Sequence, residues 1–184
     1  LAVLVDLDVA MGRTGTRDDD LARRLVERIQ AVDHLDFMGF QHYAGHVMHI
    51  QGHAARSEAS LVLWERVLER LGRIGVRYDV LTGCGTGTFD IDCAVQQITD
   101  MQVGSYVFMD EEYRQIGGRH SERFADFEVS LTVACTALSQ PAAGAVTVDG
   151  GYKSIASDTV PPAVDELPNT QYRFAGDEHG VLVS

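Results

Sequence analysis

The order in which two hydrophobic periodicities alternate constrains this chain most. Residues 2–9, "AVLVDLDV", form an apolar run broken by Asp6 and Asp8. That is the pattern of a strand buried on both faces and ending at a polar rim. "RDDDLARRLVERIQAV" follows, with Asp18, Asp19 and Asp20 at a helix N-terminus and Leu21, Leu25, Ile29 and Val32 at helical spacing. "LDFMGFQ" is a second strand. Residues 54–74 are a second amphipathic helix with Leu61, Trp64, Leu68 and Leu71 on one face. "RYDVLTG" and "MQVGSYVFMD" are a third and a fourth strand. Such an order implies a parallel sheet with right-handed crossovers. Past residue 120 the character changes: "FEVSLTVACTALS" and "AGAVTVDGGY" read as longer strands with turns and no helix between them. The expected organisation is α/β over residues 1–120 and β-rich over 121–184.

Four βα units are half of a (β/α)8 barrel, and an open doubly wound sheet is the competing architecture. The barrel is favoured by where the unusual residues fall. Each strand runs into a loop rich in glycine and polar groups: "AMGRTGT", "HYAGH", "GCGTGTFD" and, within the fourth, "VGSY". A barrel collects its chemistry from the C-terminal ends of several strands. The two ends, "LAVLVDL" and "HGVLVS", are themselves strand-like, so the chain is expected to be an internal piece of a longer protein.

Charge excludes one class of partner. The net charge of −12, with no basic stripe, argues against a nucleic-acid ligand. No apolar run approaches a membrane span. Cys84, Cys93 and Cys135 lack zinc-site spacing and fit a reducing compartment.

Among the loops, "GCGTGT" (Gly83–Thr88) combines glycines with threonines directly after a strand. Glycine lets the backbone approach an anion, and amide and hydroxyl donors can then cradle a phosphate. The loop is neither a P-loop nor the dinucleotide fingerprint. Taken alone it is as readily a flexible turn. "VGSYVFMD" adds Gly104, Ser105 and Tyr106 on the neighbouring strand, and two such loops together carry more weight than either. Arg13, between two glycines, can hold an acidic ligand oxygen, though a surface ion pair is the commoner use of such a residue. His42, His46, His49 and His53 follow one another at spacings of four, three and four, which on a helix would suggest a metal site. Gly45 and Gly52 interrupt that stretch, so it is expected to be a strand-end loop.

Six segments, "VDLDVAMGRTGT", "GFQHYAGHVMHI", "LTGCGTGTFDID", "MQVGSYVFMDEEY", "VTVDGGYKSIASD" and "GDEHG", together resemble the D-threonine aldolase-like proteins. That group includes 3-hydroxy-D-aspartate aldolase and, more distantly, eukaryotic-type D-serine dehydratase. All are relatives of the alanine racemase fold. The resemblance runs through essentially the whole chain. It implies the C-terminal half of a pyridoxal phosphate (PLP)-binding (β/α)8 barrel followed by a β-rich region. It also implies a PLP-dependent lyase that cleaves a β-hydroxy D-amino acid by a retro-aldol reaction. The alternatives are a D-serine dehydratase-type lyase and a non-catalytic PLP-binding subunit.

The same resemblance gives the loops roles. Arg13 would face the cofactor's ring oxygen, and Tyr43 would lie near the pyridine nitrogen. Gly85, Thr86 and Gly87, with Gly104, Ser105 and Tyr106, would form the phosphate cradle. His49 would be the catalytic residue that helps with substrate proton transfer, while His42, His46 and His53 are expected to be loop or packing histidines. Lys153 is the chain's one lysine and matches a family lysine other than the Schiff-base one. The Schiff-base lysine is expected before residue 1. The ligands of a divalent metal, manganese or similar, are expected beyond "DEHG", so no metal ligand is assigned within the chain. A cytoplasmic homodimer is expected. Ala10 stands where relatives often carry glycine.

Overall fold

The computed structural model describes residues 1–156, 158–167 and 169–184. Four parallel strands lie side by side in chain order: β1 (Ala2–Asp6), β2 (Asp36–Gln41), β3 (Val80–Gly83) and β4 (Asp100–Met101). Helix α1 (Asp19–Gln30) connects the first pair. A short α2 (Gly45–Met48) and the long α3 (His53–Ile74) connect the second. After β3 come α4 (Phe89–Asp92), then β4, a 3-10 turn at Ser105–Val107 and α5 (Glu111–Gln115). A separate antiparallel sheet is built from β5 (Ala137–Ala142), β6 (Ala145–Val148), β7 (Gln171–Phe174) and β8 (Gly180–Val183), in the order β5-β6-β8-β7.

The sequence specifies these elements locally. Asp18 caps α1, its carboxylate accepting from the amides of Asp20 and Leu21 at 2.9 and 3.0 Å. Asp19 then clasps α1 to α3, accepting from Arg70 Nε at 2.7 Å and Arg73 Nε at 2.8 Å. β2 carries one residue more than β1: Val3 faces Phe37 and Leu4 faces Gly39, leaving Met38 as a bulge. Gly39 is required there, because a Cβ would stand 1.8 Å from the Val80 carbonyl oxygen.

The main core lies between the sheet and its helices, with Val5, Leu7, Phe40 and Leu81 from the strands meeting Ala22, Val26, Trp64, Val67 and Ile74. Two expected helix faces are corrected. On α1 the buried residues are Ala22 and Val26, while Leu21 and Leu25 are 37% and 41% exposed. Among the described residues no strand pairs outside β1, so the Leu21–Leu25–Ile29 stripe borders an open groove with Leu4 and Val5. On α3 the buried stripe is Arg56, Ser60, Trp64, Val67, Leu71 and Ile74, and Leu61 is turned outward.

Two strands are also shorter than the sequence suggests. β4 is confined to Asp100 and Met101, because beyond it the backbone turns to let the Ser105 carbonyl accept from Met109. The apolar alternation of "FEVSLTVAC" forms no strand. Ser130 is tied to Phe108 O at 2.9 Å, and Leu131 and Val133 beyond it are exposed, with no partner strand among the described residues.

His42 illustrates the energetics at the end of β2. Its ring is 1% exposed, packs edge-on to Trp64 at 4.4 Å, and neither ring nitrogen has a partner among the described residues. Burial lowers its pKa from 6.5 to about 4. The folded state therefore binds fewer protons than the unfolded one between these values, so stability is complete above pH 6.5 and falls as pH drops toward 4. The loss is expected to reach at most about 3 kcal/mol from this residue. His42→Leu should flatten that slope in urea melts between pH 4 and 7. An unchanged slope would show that His42 is not its source.

Candidate functional site

At the C-terminal ends of the parallel strands the loops enclose a cavity of about 350 Å³, lined by Arg13, Tyr43, Gly85, Thr86, Gln102, Gly104, Ser105 and Tyr113. Six of the nine residues singled out from sequence thus share one space. The contributing loops are held from behind. Asp8 accepts from the Gly12 amide at 3.1 Å and from Arg17 Nε at 2.6 Å, which folds the β1–α1 loop back and presents Arg13. The guanidinium of Arg13 lies 5.2 Å from the Tyr43 ring centroid. Ala10 in this loop has φ +82°, a left-handed conformation in which a Cβ is strained by about 1 kcal/mol.

The two glycine-rich loops meet directly. The Tyr106 amide donates to Thr86 Oγ1 at 3.2 Å, joining the ends of the adjacent strands β3 and β4. Gly85 and Gly87 are both sterically required, since a Cβ would stand 2.5 Å from Met48 Sδ or 2.1 Å from Met48 O. At Gly104 a Cβ would meet nothing within 4 Å. Beneath the first loop lies a buried polar chain. Thr88 Oγ1 and Ser60 Oγ donate to the two carboxylate oxygens of Asp92, each at 2.5 Å. Burial, with Asp92 alongside, pushes the Cys84 thiol up to about 12, so this cysteine is an inert packing group. Gln102 Nε2 donates to Gln41 Oε1 at 3.1 Å and spans the floor between β2 and β4.

Three of the nine lie outside the lining. Gly87 is buried behind Thr86, and Tyr106 contributes its amide to the loop junction. His49, the residue that ends α2, stands one ring behind the wall. Its centroid is 4.4 Å from that of Tyr113, and its Nε2 is 3.8 Å from Glu112 Oε2. The same Glu112 oxygen accepts from Thr159 Oγ1 at 3.1 Å. Burial, with Tyr43 close by, pushes the Tyr113 hydroxyl up to about 12 and keeps it a proton donor. Of the other histidines, His42 packs on Trp64 and His53 pairs with Asp90 at 2.9 Å. Among the described residues no three His, Cys, Asp or Glu side chains gather as a metal ion would need, and no helix is long and apolar enough to cross a membrane.

Sequence reasoning passed over Gln102, Tyr113, Glu112 and Arg56. Only Arg56 left a signal: it falls at helical spacing on the same stripe as Trp64 and Leu71, where a charge is out of place.

A parallel βα sheet with anion-type loops at the ends of adjacent strands, joined to an antiparallel sheet, defines a class of cofactor-binding barrel with a β-domain. The chain belongs to the family described as "Alanine racemase, N-terminal domain", which matches residues 1–112. A second family, "Putative serine dehydratase domain", matches residues 130–184. The chain is 36% identical over 183 residues to D-threonine aldolase of Arthrobacter sp, and the match covers 98% of the chain and 48% of that protein. It is 26% identical to 3-hydroxy-D-aspartate aldolase of Paracoccus denitrificans (strain Pd 1222), covering 99% of the chain and 48% of the relative. The crystal structure of D-threonine aldolase from Filomicrobium marinum superposes with a TM-score of 0.85 at 29% identity, over all of the chain and 49% of that structure. The chain therefore spans about half the length of the relatives it matches, and its fold is of the alanine racemase type.

Proposed function

We propose that the chain carries half the cofactor pocket of a PLP-dependent lyase that cleaves a β-hydroxy D-amino acid, of D-threonine aldolase or 3-hydroxy-D-aspartate aldolase type. The observation that carries this reading is the convergence of Arg13, Tyr43, Gly85, Thr86, Gly104 and Ser105 on one cavity from loops after all four parallel strands. The lining suits the cofactor: glycine backbone and hydroxyl donors for a phosphate, and a tyrosine and an arginine for an aromatic ring and its oxygen. When bound, PLP supplies an electron sink conjugated with the substrate's Cα. The chain's own residues do the rest. Gly85, Thr86, Gly104 and Ser105 would hold the phosphate, and Arg13 and Tyr43 would orient the ring. His49 takes the proton of the substrate's β-hydroxyl, and Glu112, 3.8 Å away, stabilises the imidazolium that results. A divalent metal, with ligands beyond the chain, would polarise the same hydroxyl.

Residues 1–120 then act as the barrel part and 121–184 as part of the β-domain. Three free cysteines suit a cytoplasmic setting, and the exposed Val107 and Phe108 beside the cavity suit a homodimer interface. The match of residues 130–184 to the serine dehydratase family supports a second reading, elimination of the β-hydroxyl group instead of carbon–carbon cleavage. The full-length protein, loaded with PLP, should convert D-threonine to glycine and acetaldehyde. Release of ammonia and a keto acid from D-serine or D-threonine would select the dehydratase reading. No turnover of any β-hydroxy D-amino acid would overturn both.

A further inference from the structure

The buried stripe of α3 carries a guanidinium with no carboxylate partner among the described residues. Arg56 is 0% exposed, and all its bonds run to backbone carbonyls of three loops. Nε donates to Gly87 O at 2.6 Å, Nη1 to Ile50 O at 2.8 Å and to Ile116 O at 3.0 Å, and Nη2 to Gly117 O at 2.7 Å. Each acceptor stands close in sequence to a residue of the proposed site. Gly87 follows Thr86 of the cradle, Ile50 follows His49, and Ile116 lies on the turn that ends the helix carrying Glu112 and Tyr113. One rigid fork thus sets three loops relative to one another. Asp90 and Asp126 offset part of its charge from a distance, and carbonyl dipoles meet the rest one peptide behind the cradle, where a buried cation favours an anion in front.

We propose that Arg56 is a positioning residue that locks the anion cradle to the His49 side of the cavity and tunes the cradle for a doubly charged phosphate. This rests on the PLP reading of the cavity. A neutral brace would satisfy the same carbonyls without supplying the field. A lysine would keep the charge but cannot reach three loops from one nitrogen.

The test uses the full-length apo-protein titrated with PLP and, separately, with pyridoxal, which lacks the phosphate. Arg56→Gln should weaken PLP binding by at least about tenfold and pyridoxal binding by less than about threefold. Arg56→Lys should fall between Arg56→Gln and wild type on PLP. Equal losses for both ligands would reduce Arg56 to a general brace and overturn the proposal, as would unchanged PLP affinity. Should neither variant fold, hydrogen exchange on the wild-type protein decides. PLP should slow exchange in residues 49–52, 85–88 and 115–118 together, and pyridoxal should not. Protection confined to 85–88 would overturn the coupling. A wild-type protein that binds PLP no more tightly than pyridoxal would instead sink the cofactor reading itself.

Discussion

His49→Ala in the full-length protein is expected to lower turnover of the β-hydroxy D-amino acid by roughly 10²–10⁴-fold, the range for loss of a general base. PLP affinity should stay near wild type. The expectation follows from placement. His49 is outside the residues that line the cavity, yet its ring packs on Tyr113, which does line it, and its Nε2 faces Glu112 at 3.8 Å. A base set one ring back can reach a substrate hydroxyl that projects past Tyr113 without touching the cofactor itself. Glu112→Gln keeps the shape and removes the charge, so it should reduce turnover, though less than His49→Ala. Full activity in His49→Ala would make the histidine a packing partner of Tyr113.

A second large effect separates binding from folding. Gly104→Ala adds a methyl that meets no protein atom within 4 Å, at a φ of −128°, outside the left-handed region. Its stability should stay within about 0.5 kcal/mol of wild type, as for an unstrained surface substitution. Yet Gly104 lines the cavity, so the methyl occupies space assigned to the phosphate, and PLP affinity should fall by roughly tenfold or more. Gly87→Ala is the counterpart: its Cβ would lie 2.1 Å from Met48 O, inside the backbone contact of α2. Forcing that contact apart is expected to cost about 1–3 kcal/mol of stability whether or not cofactor is present. Urea melts of the apo-proteins beside PLP titrations distinguish the two. If Gly104→Ala binds PLP normally, the phosphate does not sit against this loop.

The barrel half was legible because each of its signals is local. Asp18 precedes an apolar period and caps α1, and the apolar runs at residues 2–6, 36–41 and 80–83, each leading into a glycine-rich or polar loop, form the first three strands. The cavity was legible through glycines and hydroxyl donors, whose use is decided by the backbone that carries them. What escaped depends on long-range partners. The alternation in "FEVSLTVAC" is a genuine strand signal, but a strand needs a neighbour, and residues 131–136 find none among the described residues. Leu21 and Leu25 fit the helical period, but which side of a helix is covered depends on the sheet's extent. Tyr113 and Gln102 are ordinary residues made important by position alone. Arg56 was readable in principle, as a charge on the stripe of Trp64 and Leu71.

The bulge at Met38 makes the number of residues in β2 matter as much as their identity. Side chains alternate along a strand, and the one extra residue sets which of those after it point to α3 and which point into the barrel. As built, His42 packs on Trp64 while Gln41 meets Gln102. Deleting a single residue between Asp36 and Gln41 would exchange these two sides, sending a polar glutamine toward the tryptophan and displacing the entry to Tyr43. Related proteins should therefore keep the glycine at position 39 and hold the count of this strand, and where one has gained or lost a residue here, a second change of length nearby should restore the parity.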